Sequence, residues 1–129
     1  MNSYFLKGRE SFIDHIRCIR DLGIVYWKKD SKKMDVGDIV YLFISDKKYN
    51  RVMFRLKVVE TNSVRTDKQY WRVPFENDDC CFKLENTAGV YCGSGLDYDD
   101  LEKHGISRYV QKYKKLNKEQ SDWLASHFE

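Results

Sequence analysis

Positions 39–44 read Ile-Val-Tyr-Leu-Phe-Ile, six apolar residues with no charged side chain among them. A strand of this composition has no face suited to water, so it must be covered on both sides. The preceding Gly37-Asp38 pair is typical of a turn, and we assign Asp38 to that turn rather than to chemistry. After a polar loop, apolar residues return at every second position of 52–58, which is the period of a strand with one buried face. We therefore predict an antiparallel hairpin whose first strand is fully buried.

Shorter patterns predict the other elements: strands at 4–6, 24–27, 70–73 and 82–84, and helices at 11–22, 98–104 and 117–128. Ser11 and Asp14 have the spacing of a helix cap, and Gly23 follows the first helix. Asn117 and Gln120 have capping-box spacing at the last helix. About five short strands with segregated helices predict an α+β domain, a small curved or closed mixed sheet flanked by helices. No linker rich in glycine, proline or serine interrupts the chain, so we predict one domain over residues 1–129.

The composition restricts the compartment and the partners. No run of about 18 apolar residues exists, and the N-terminus lacks the apolar centre of a secretory signal, so we expect a cytoplasmic protein without a membrane partner. The adjacent Cys80 and Cys81 suit reduced thiols better than a disulfide framework. The formal net charge is +3, from 23 basic and 20 acidic side chains, which by itself does not indicate an anionic partner. Evidence for such a partner must come from the local distribution of charge.

Several segments occur in a distinctive order along the first half of the chain. Ile24-Val25-Tyr26-Trp27 is followed by a short basic loop, by the Gly37-Asp38 turn and by a strand that closes in Phe43-Ile44-Ser45, and a partner strand then returns over 52–58. This order resembles the EVE domain of the PUA-like superfamily, and the resemblance spans residues 4–59. It implies a pseudobarrel with a pocket that receives a nucleobase, often a modified one flipped out of a nucleic acid. Relatives serve in modification-dependent restriction or in RNA biology.

Five residues are candidates for contact with such a base, namely Trp27, Phe43, Ser45, Asp46 and Tyr109. Trp27 ends an apolar segment, and a base stacked on an aromatic ring gains about 1–3 kcal/mol. Ser45 could bond to the edge of the base, and Tyr109 lies in a segment that could close over the pocket. The alternative for Trp27 and Phe43 is a place in the core, and the alternative for Ser45 and Asp46 is a hairpin turn.

Basic loops follow both pocket segments and supply the candidate phosphate contacts, which are Lys28, Lys29, Lys32, Lys33, Lys47 and Lys48. Lysines on a shared face would give the salt-dependent phosphate contacts that nucleic-acid binding requires. The alternative is an ordinary solvated surface.

The residue inventory argues against an enzyme. The cysteines and histidines show neither C-x-x-C nor H-x(3–5)-H spacing, so we expect no metal, no cofactor and no catalytic residues. We therefore predict a nucleic-acid-binding module, for DNA or RNA, that accommodates a flipped and modified base in an aromatic pocket. The alternative is a non-enzymatic protein-interaction or regulatory domain on the same fold, which would bind an effector protein through Trp71 and Tyr91. A third possibility, the recognition half of a nuclease system, would be revealed by cleavage with added Mg²⁺.

Overall fold

The computed structural model describes residues 1–30, 32–75, 80–91, 93, 95–110 and 113–128. Its elements, in chain order, are β1 (Ser3–Gly8), α1 (His15–Leu22), β2 (Ile24–Lys28), β3 (Ile39–Ile44), β4 (Arg51–Ser63), a 3-10 helix (Lys68–Tyr70), β5 (Cys81–Asn86), α2 (Tyr98–Lys103), β6 (Tyr113–Lys115) and α3 (Lys118–Ser126). None of the helices in the described ranges is long and apolar enough to cross a membrane.

The strands form one open, mixed sheet in the order β2-β5-β4-β3-β1-β6, so the predicted α+β class with a mixed sheet is confirmed. β3 pairs antiparallel with β4, which confirms the predicted hairpin, and parallel with β1 on its other side. All six residues of β3 are buried. Their side chains alternate between two hydrophobic clusters, with Val40, Leu42 and Ile44 in the first cluster and Ile39, Tyr41 and Phe43 in the second. A central strand covered on both faces explains why this segment carries no polar position.

The helices cover opposite faces of the sheet. The first cluster includes Ile19 of α1, and the second includes Leu101 of α2 and Leu124 of α3. β4 is 13 residues long and pairs with both β3 and β5, and its register with β5 shifts twice between Val58 and Ser63. Such irregularities bend a strand and increase its twist. The two shifts therefore curve the sheet along β4.

The first helix begins later than its apolar spacing predicts. Asp14, not Ser11, is the N-cap, and its side chain accepts the backbone N–H of Arg17 at 3.2 Å. Phe12 consequently lies in the loop before α1 and is 49% exposed. The C-terminal prediction is confirmed, because Gly23 adopts the left-handed conformation with φ of 70°.

The predicted strand at 70–73 is wrong. Its residues pair with the loop before α1 instead of with the sheet, through a single bridge between Ile13 and Trp71. The Asp14 backbone N–H donates to Tyr70 O at 2.8 Å, and the Arg72 N–H donates to Phe12 O at 2.8 Å. Residues 70–73 therefore form a contact between two loops, although their composition favours a strand. The strand predicted at 82–84 is confirmed within β5, and the capping box of Asn117 and Gln120 is confirmed at α3.

Gly23 provides a test of the helix terminus. Replacing it with alanine should lower the free energy of unfolding by about 1–2 kcal/mol, because the side chain disfavours a positive φ. Gly89→Ala is a matched control, since neither glycine has an atom within 4 Å of an added Cβ and Gly89 has no positive φ. Urea unfolding of both variants measures the difference. Equal stabilities would contradict the role assigned to the left-handed cap.

Candidate functional site

The carboxyl ends of the parallel strands β1 and β3 lie side by side at one end of the sheet. Gly8, the last residue of β1, is opposite Ile44, the last residue of β3. Ser45 follows immediately, and both its backbone N–H and its hydroxyl donate to Gly8 O, at 2.9 and 3.3 Å. The loops that leave these two strands surround a surface depression. Loops held by a rigid sheet are common places for binding residues.

Three neighbouring depressions that share lining residues lie there, and together we call them the strand-end groove. The central pocket has a volume of about 450 Å³ and is lined by Lys7, Gly8, Arg9, Phe12, Ile13, His15 and Trp27. A narrow pocket of about 180 Å³ continues past His15 and Trp27 and is lined by Ile13, His15, Tyr26, Trp27, Lys28, Arg65 and Trp71. An outer pocket of about 320 Å³ continues past Lys7 and Arg9 and is lined by Lys7, Arg9, Ser45, Tyr98, Arg108, Tyr109 and Val110.

Trp27 lies where the central and narrow pockets join. It is the fourth residue of β2, and its indole reaches across to β1, where a Cβ on Gly8 would lie 3.0 Å from the indole Cη2. The His15 ring lies beside it, with ring centroids 5.2 Å apart and planes inclined by 30°. Glycine at position 8 is therefore what allows both rings to rest on the backbone of β1.

A buried hydrogen bond to Glu10 holds the His15 ring in place beside Trp27. His15 is 3% exposed, and its Nδ1 lies 3.1 Å from Glu10 Oε1. The same carboxylate oxygen accepts the backbone N–H of His15 at 3.1 Å. Arg72 holds this loop in place, because its Nε donates to Glu10 O at 2.7 Å. No sequence pattern indicated this pair, since the helix was expected to begin before His15 and not at it.

The far end of the narrow pocket is built on a buried ion pair. Arg65 donates through Nε and one terminal nitrogen to the two carboxylate oxygens of Asp67, each at 3.1 Å. The same terminal nitrogen donates to Tyr26 O at 3.1 Å. The Arg65 guanidinium also lies 4.7 Å from the ring centroid of Trp71. This bidentate arrangement fixes the indole of Trp71 at the groove wall.

Among the candidate base-binding residues, Trp27, Ser45 and Tyr109 line the strand-end groove. Tyr109 is 81% exposed at the rim of the outer pocket. Phe43, by contrast, is 0% exposed, because its ring is covered by Tyr98 at a centroid distance of 4.6 Å. Phe43 lies on the face of β3 that packs into the second cluster. Tyr98, which covers it, is the aromatic residue that lines the outer pocket there.

Asp46 lies behind the groove and joins two loops. Its carboxylate accepts the backbone N–H groups of Glu10 at 2.6 Å and Ser11 at 3.3 Å. Asp46 also begins the turn after β3, where its backbone oxygen accepts the N–H of Tyr49 at 2.9 Å. Its side chain, however, bonds to a distant loop and not to the local backbone that the turn alternative invoked. Asp46 therefore positions the loop after β1 against the turn after β3.

The candidate phosphate lysines differ in accessibility. Lys32 is buried beside Asp30, with Nζ 3.6 Å from a carboxylate oxygen, and so is not available at the surface. Lys29 is half-buried and donates to Asn62 Oδ1 at 2.9 Å. Lys28 is exposed and lines the narrow pocket. The exposed lysines outside the pockets are Lys33, Lys47 and Lys48.

Among the described residues, four cations that line the groove were not predicted as phosphate contacts, namely Lys7, Arg9, Arg65 and Arg108. Arg108 donates to Asp99 and Glu102, both at 2.7 Å, and its hydrogen bond holds the pKa of Glu102 below the usual range. Lys7 Nζ donates to Arg108 O at 2.7 Å and lies 4.8 Å from the ring centroid of Tyr98. These two cations are already engaged by the protein.

Arg9 is the cation that remains accessible between the central and outer pockets. It is exposed, makes no ion pair within the described part of the chain, and lies 5.4 Å from the ring centroid of Phe12. Neither residue belongs to a lysine-rich loop, so composition gave no signal for this position. An unpaired guanidinium beside an exposed aromatic ring suits a planar anionic ligand.

Comparison with known proteins identifies the fold. No protein-family model matches the chain, and no curated protein matches its sequence. Among solved structures, human THYN1 in complex with DNA containing 5-methylcytosine matches 100% of this chain and 98% of its own, with a TM-score of 0.66 and 10% identity. An ASCH protein from Zymomonas mobilis matches over 96% and 94% of the two chains, with a TM-score of 0.62 and 11% identity. A protein from Pseudomonas putida matches over 98% and 99%, with a TM-score of 0.64 and 12% identity. The chain therefore shares the fold of these solved proteins.

Gly8→Ala tests the close approach that shapes the groove. The new methyl group would meet Trp27 at 3.0 Å and His15 at 3.1 Å, so both rings must move. We expect a loss of about 1–3 kcal/mol in the free energy of unfolding, together with a shift of the tryptophan emission maximum. Chemical unfolding and fluorescence measure the two effects. A variant with unchanged stability and emission would show that the contact does not constrain the indole.

Proposed function

We propose that this protein is a nucleic-acid-binding module of the EVE type that holds a flipped, modified base in the strand-end groove. The observation that carries the proposal is the central pocket, which is lined by both Trp27 and the accessible cation Arg9. A nucleotide needs both features, an apolar face for the base and a positive charge for the phosphate. The solved complex of human THYN1 with DNA containing 5-methylcytosine supports the proposal at the level of the fold.

The central pocket would receive the base. Its volume of about 450 Å³ is within the range of small-molecule sites, and aromatic rings from Trp27 and Phe12 face it. Removing a base from a duplex costs a few kcal/mol, which stacking on one or two rings can offset. Ser45 and the backbone around Gly8 lie next to the pocket and supply hydrogen-bonding groups for the edge of the base.

Exposed cations around the mouth would hold the phosphates. Arg9 lies between the central and outer pockets, Lys28 lines the narrow pocket, and Lys47 and Lys48 follow the turn after Ser45. Tyr109, at the rim of the outer pocket, would pack against a neighbouring nucleotide. Because these cations contact phosphate rather than base edges, they contribute affinity without sequence preference.

Trp27→Ala tests the stacking surface. In a binding assay with oligonucleotides that differ only by methylation of one base, we expect this variant to lose the preference for the methylated oligonucleotide, at a cost of about 10-fold or more in affinity. Phe12→Ala should weaken binding in the same assay with little effect on folding, since the ring is 49% exposed. The matched control is Trp123→Ala, which removes an indole that also packs on a histidine ring, His104, but on the other face of the sheet.

Two outcomes would contradict the stacking proposal. One is equal affinity of the wild type and a folded Trp27→Ala variant for the methylated oligonucleotide. The other is an equal loss for Trp123→Ala, which would place the binding surface on the α3 face.

Arg9→Ala tests the phosphate contact. We expect weaker binding to methylated and unmethylated oligonucleotides alike, and a slope of log affinity against log salt that is smaller by about 1. Lys118→Ala is the control, because this exposed lysine of α3 lies in a separate cavity of about 430 Å³. A salt titration of the three proteins, with DNA and with RNA, provides the measurement. Absence of binding at low salt would favour the alternative of a protein-interaction domain.

A further inference from the structure

We propose that His15 reads the edge of the seated base and selects bases that present an exocyclic amino group, as cytosine and adenine do, over bases that present a carbonyl oxygen there. The inference rests on the proposed function and deepens it, because it assigns the class of base. It is carried by the hydrogen bonds of His15 and by the position of this residue between the central and narrow pockets.

Glu10 determines which ring nitrogen carries the proton. Its carboxylate oxygen lies 3.1 Å from His15 Nδ1, and an ionised carboxylate accepts hydrogen bonds but donates none. Nδ1 must therefore be the donor. In the neutral imidazole this assignment leaves Nε2 with a free lone pair, so Nε2 is a hydrogen-bond acceptor.

Nε2 of His15 has no hydrogen-bond partner among the residues that the structure describes. The backbone N–H and Nδ1 of this residue, by contrast, are both satisfied by Glu10. His15 is 3% exposed and lines both the central and the narrow pocket. A nearly buried acceptor that borders a cavity is best satisfied by a donor from the ligand.

The neighbouring indole directs a base toward this acceptor. The planes of His15 and Trp27 are inclined by only 30°, and their centroids are 5.2 Å apart. The imidazole therefore covers only part of the larger indole face. A base that stacks on the remaining part lies beside the imidazole, with its edge facing the ring nitrogen.

The chemistry of the base edges then gives the selectivity. Cytosine and adenine present an amino group on the Watson–Crick edge, at N4 and N6, and this group donates to an acceptor. Thymine, uracil and guanine present a carbonyl oxygen at the corresponding position, which would place two lone pairs against each other. 5-Methylcytosine and thymine carry the same methyl group and differ at this position, so they form a matched pair of probes.

The test compares single-stranded oligonucleotides that carry one 5-methylcytosine or one thymine at the same position. A single strand is used because it removes the cost of breaking a base pair. We expect the wild-type protein to bind the 5-methylcytosine strand about 10-fold more tightly. Glu10→Gln replaces the carboxylate with an amide that can donate to Nδ1, so the proton is no longer fixed and the ratio should fall toward 1. His15→Leu should abolish the discrimination and retain stacking on Trp27.

Glu119→Gln is the matched control. Glu119 Oε1 lies 2.7 Å from His104 Nδ1, and His104 stacks on Trp123 with a centroid distance of 3.8 Å. This second histidine–carboxylate pair has the same chemistry but lies outside the strand-end groove. Its disruption should leave the ratio of the two affinities unchanged.

The possible results separate the two proposals. The assignment of His15 would be overturned if the wild-type protein bound both strands equally or preferred the thymine strand. The proposed function would still stand in that case, provided that binding depended on Trp27. A folded Glu10→Gln variant that keeps the wild-type ratio would overturn it as well. Absence of Trp27-dependent binding to either strand would overturn the proposed function itself. The wild-type ratio is informative even where a variant does not fold.

Discussion

The packing of the Trp27 indole on the backbone of Gly8 is the contact on which the rest of the architecture depends. Trp27 belongs to β2, one edge of the sheet, whereas Gly8 ends β1, which is next to the opposite edge. Residues so far apart in the strand order meet only if the sheet curls through most of a turn. The same curl brings Trp27 to the loop that follows β1, where the central pocket of the groove lies. A side chain at position 8 would oppose all of these arrangements at once.

Polar contacts behind the groove fix its shape in the absence of a ligand. Asp46 ties the turn after β3 to the loop after β1, and Arg72 ties the same loop to the segment that follows the 3-10 helix. Arg65 and Asp67 support the indole of Trp71 from a buried position. Asp46, Arg72 and Arg65 each make a hydrogen bond that joins two segments of the chain distant in sequence. Because the walls are held from behind, a bound nucleotide does not have to order them, which lowers the entropic cost of binding.

The sequence predicted the strands in which the burial of the side chains follows a regular pattern. The apolar run of β3 and the alternation of β4 predicted the central hairpin. Trp27 and Ser45, which were chosen because they lie near strand ends, line the groove. The same logic failed for Phe43, because a strand buried on both faces sends every second residue to the second core. Residues 70–73 have the composition of a strand, but they form only a single bridge, between Trp71 and Ile13, and do not join the sheet. The pair of Glu10 and His15 was inaccessible to sequence reasoning, since it depends on where α1 begins, and apolar spacing extended that helix too far toward the N-terminus.

The edge of the sheet that β6 forms is short and positively charged. β6 contains three residues and two of them are lysines, Lys114 and Lys115, which pair with Phe5 and Tyr4 of β1. So short and so charged a border offers a poor template for strand addition by other polypeptides. Lateral aggregation through this side would place ammonium groups against each other, so the lysines of β6 protect this edge of the sheet against fibrillar self-assembly.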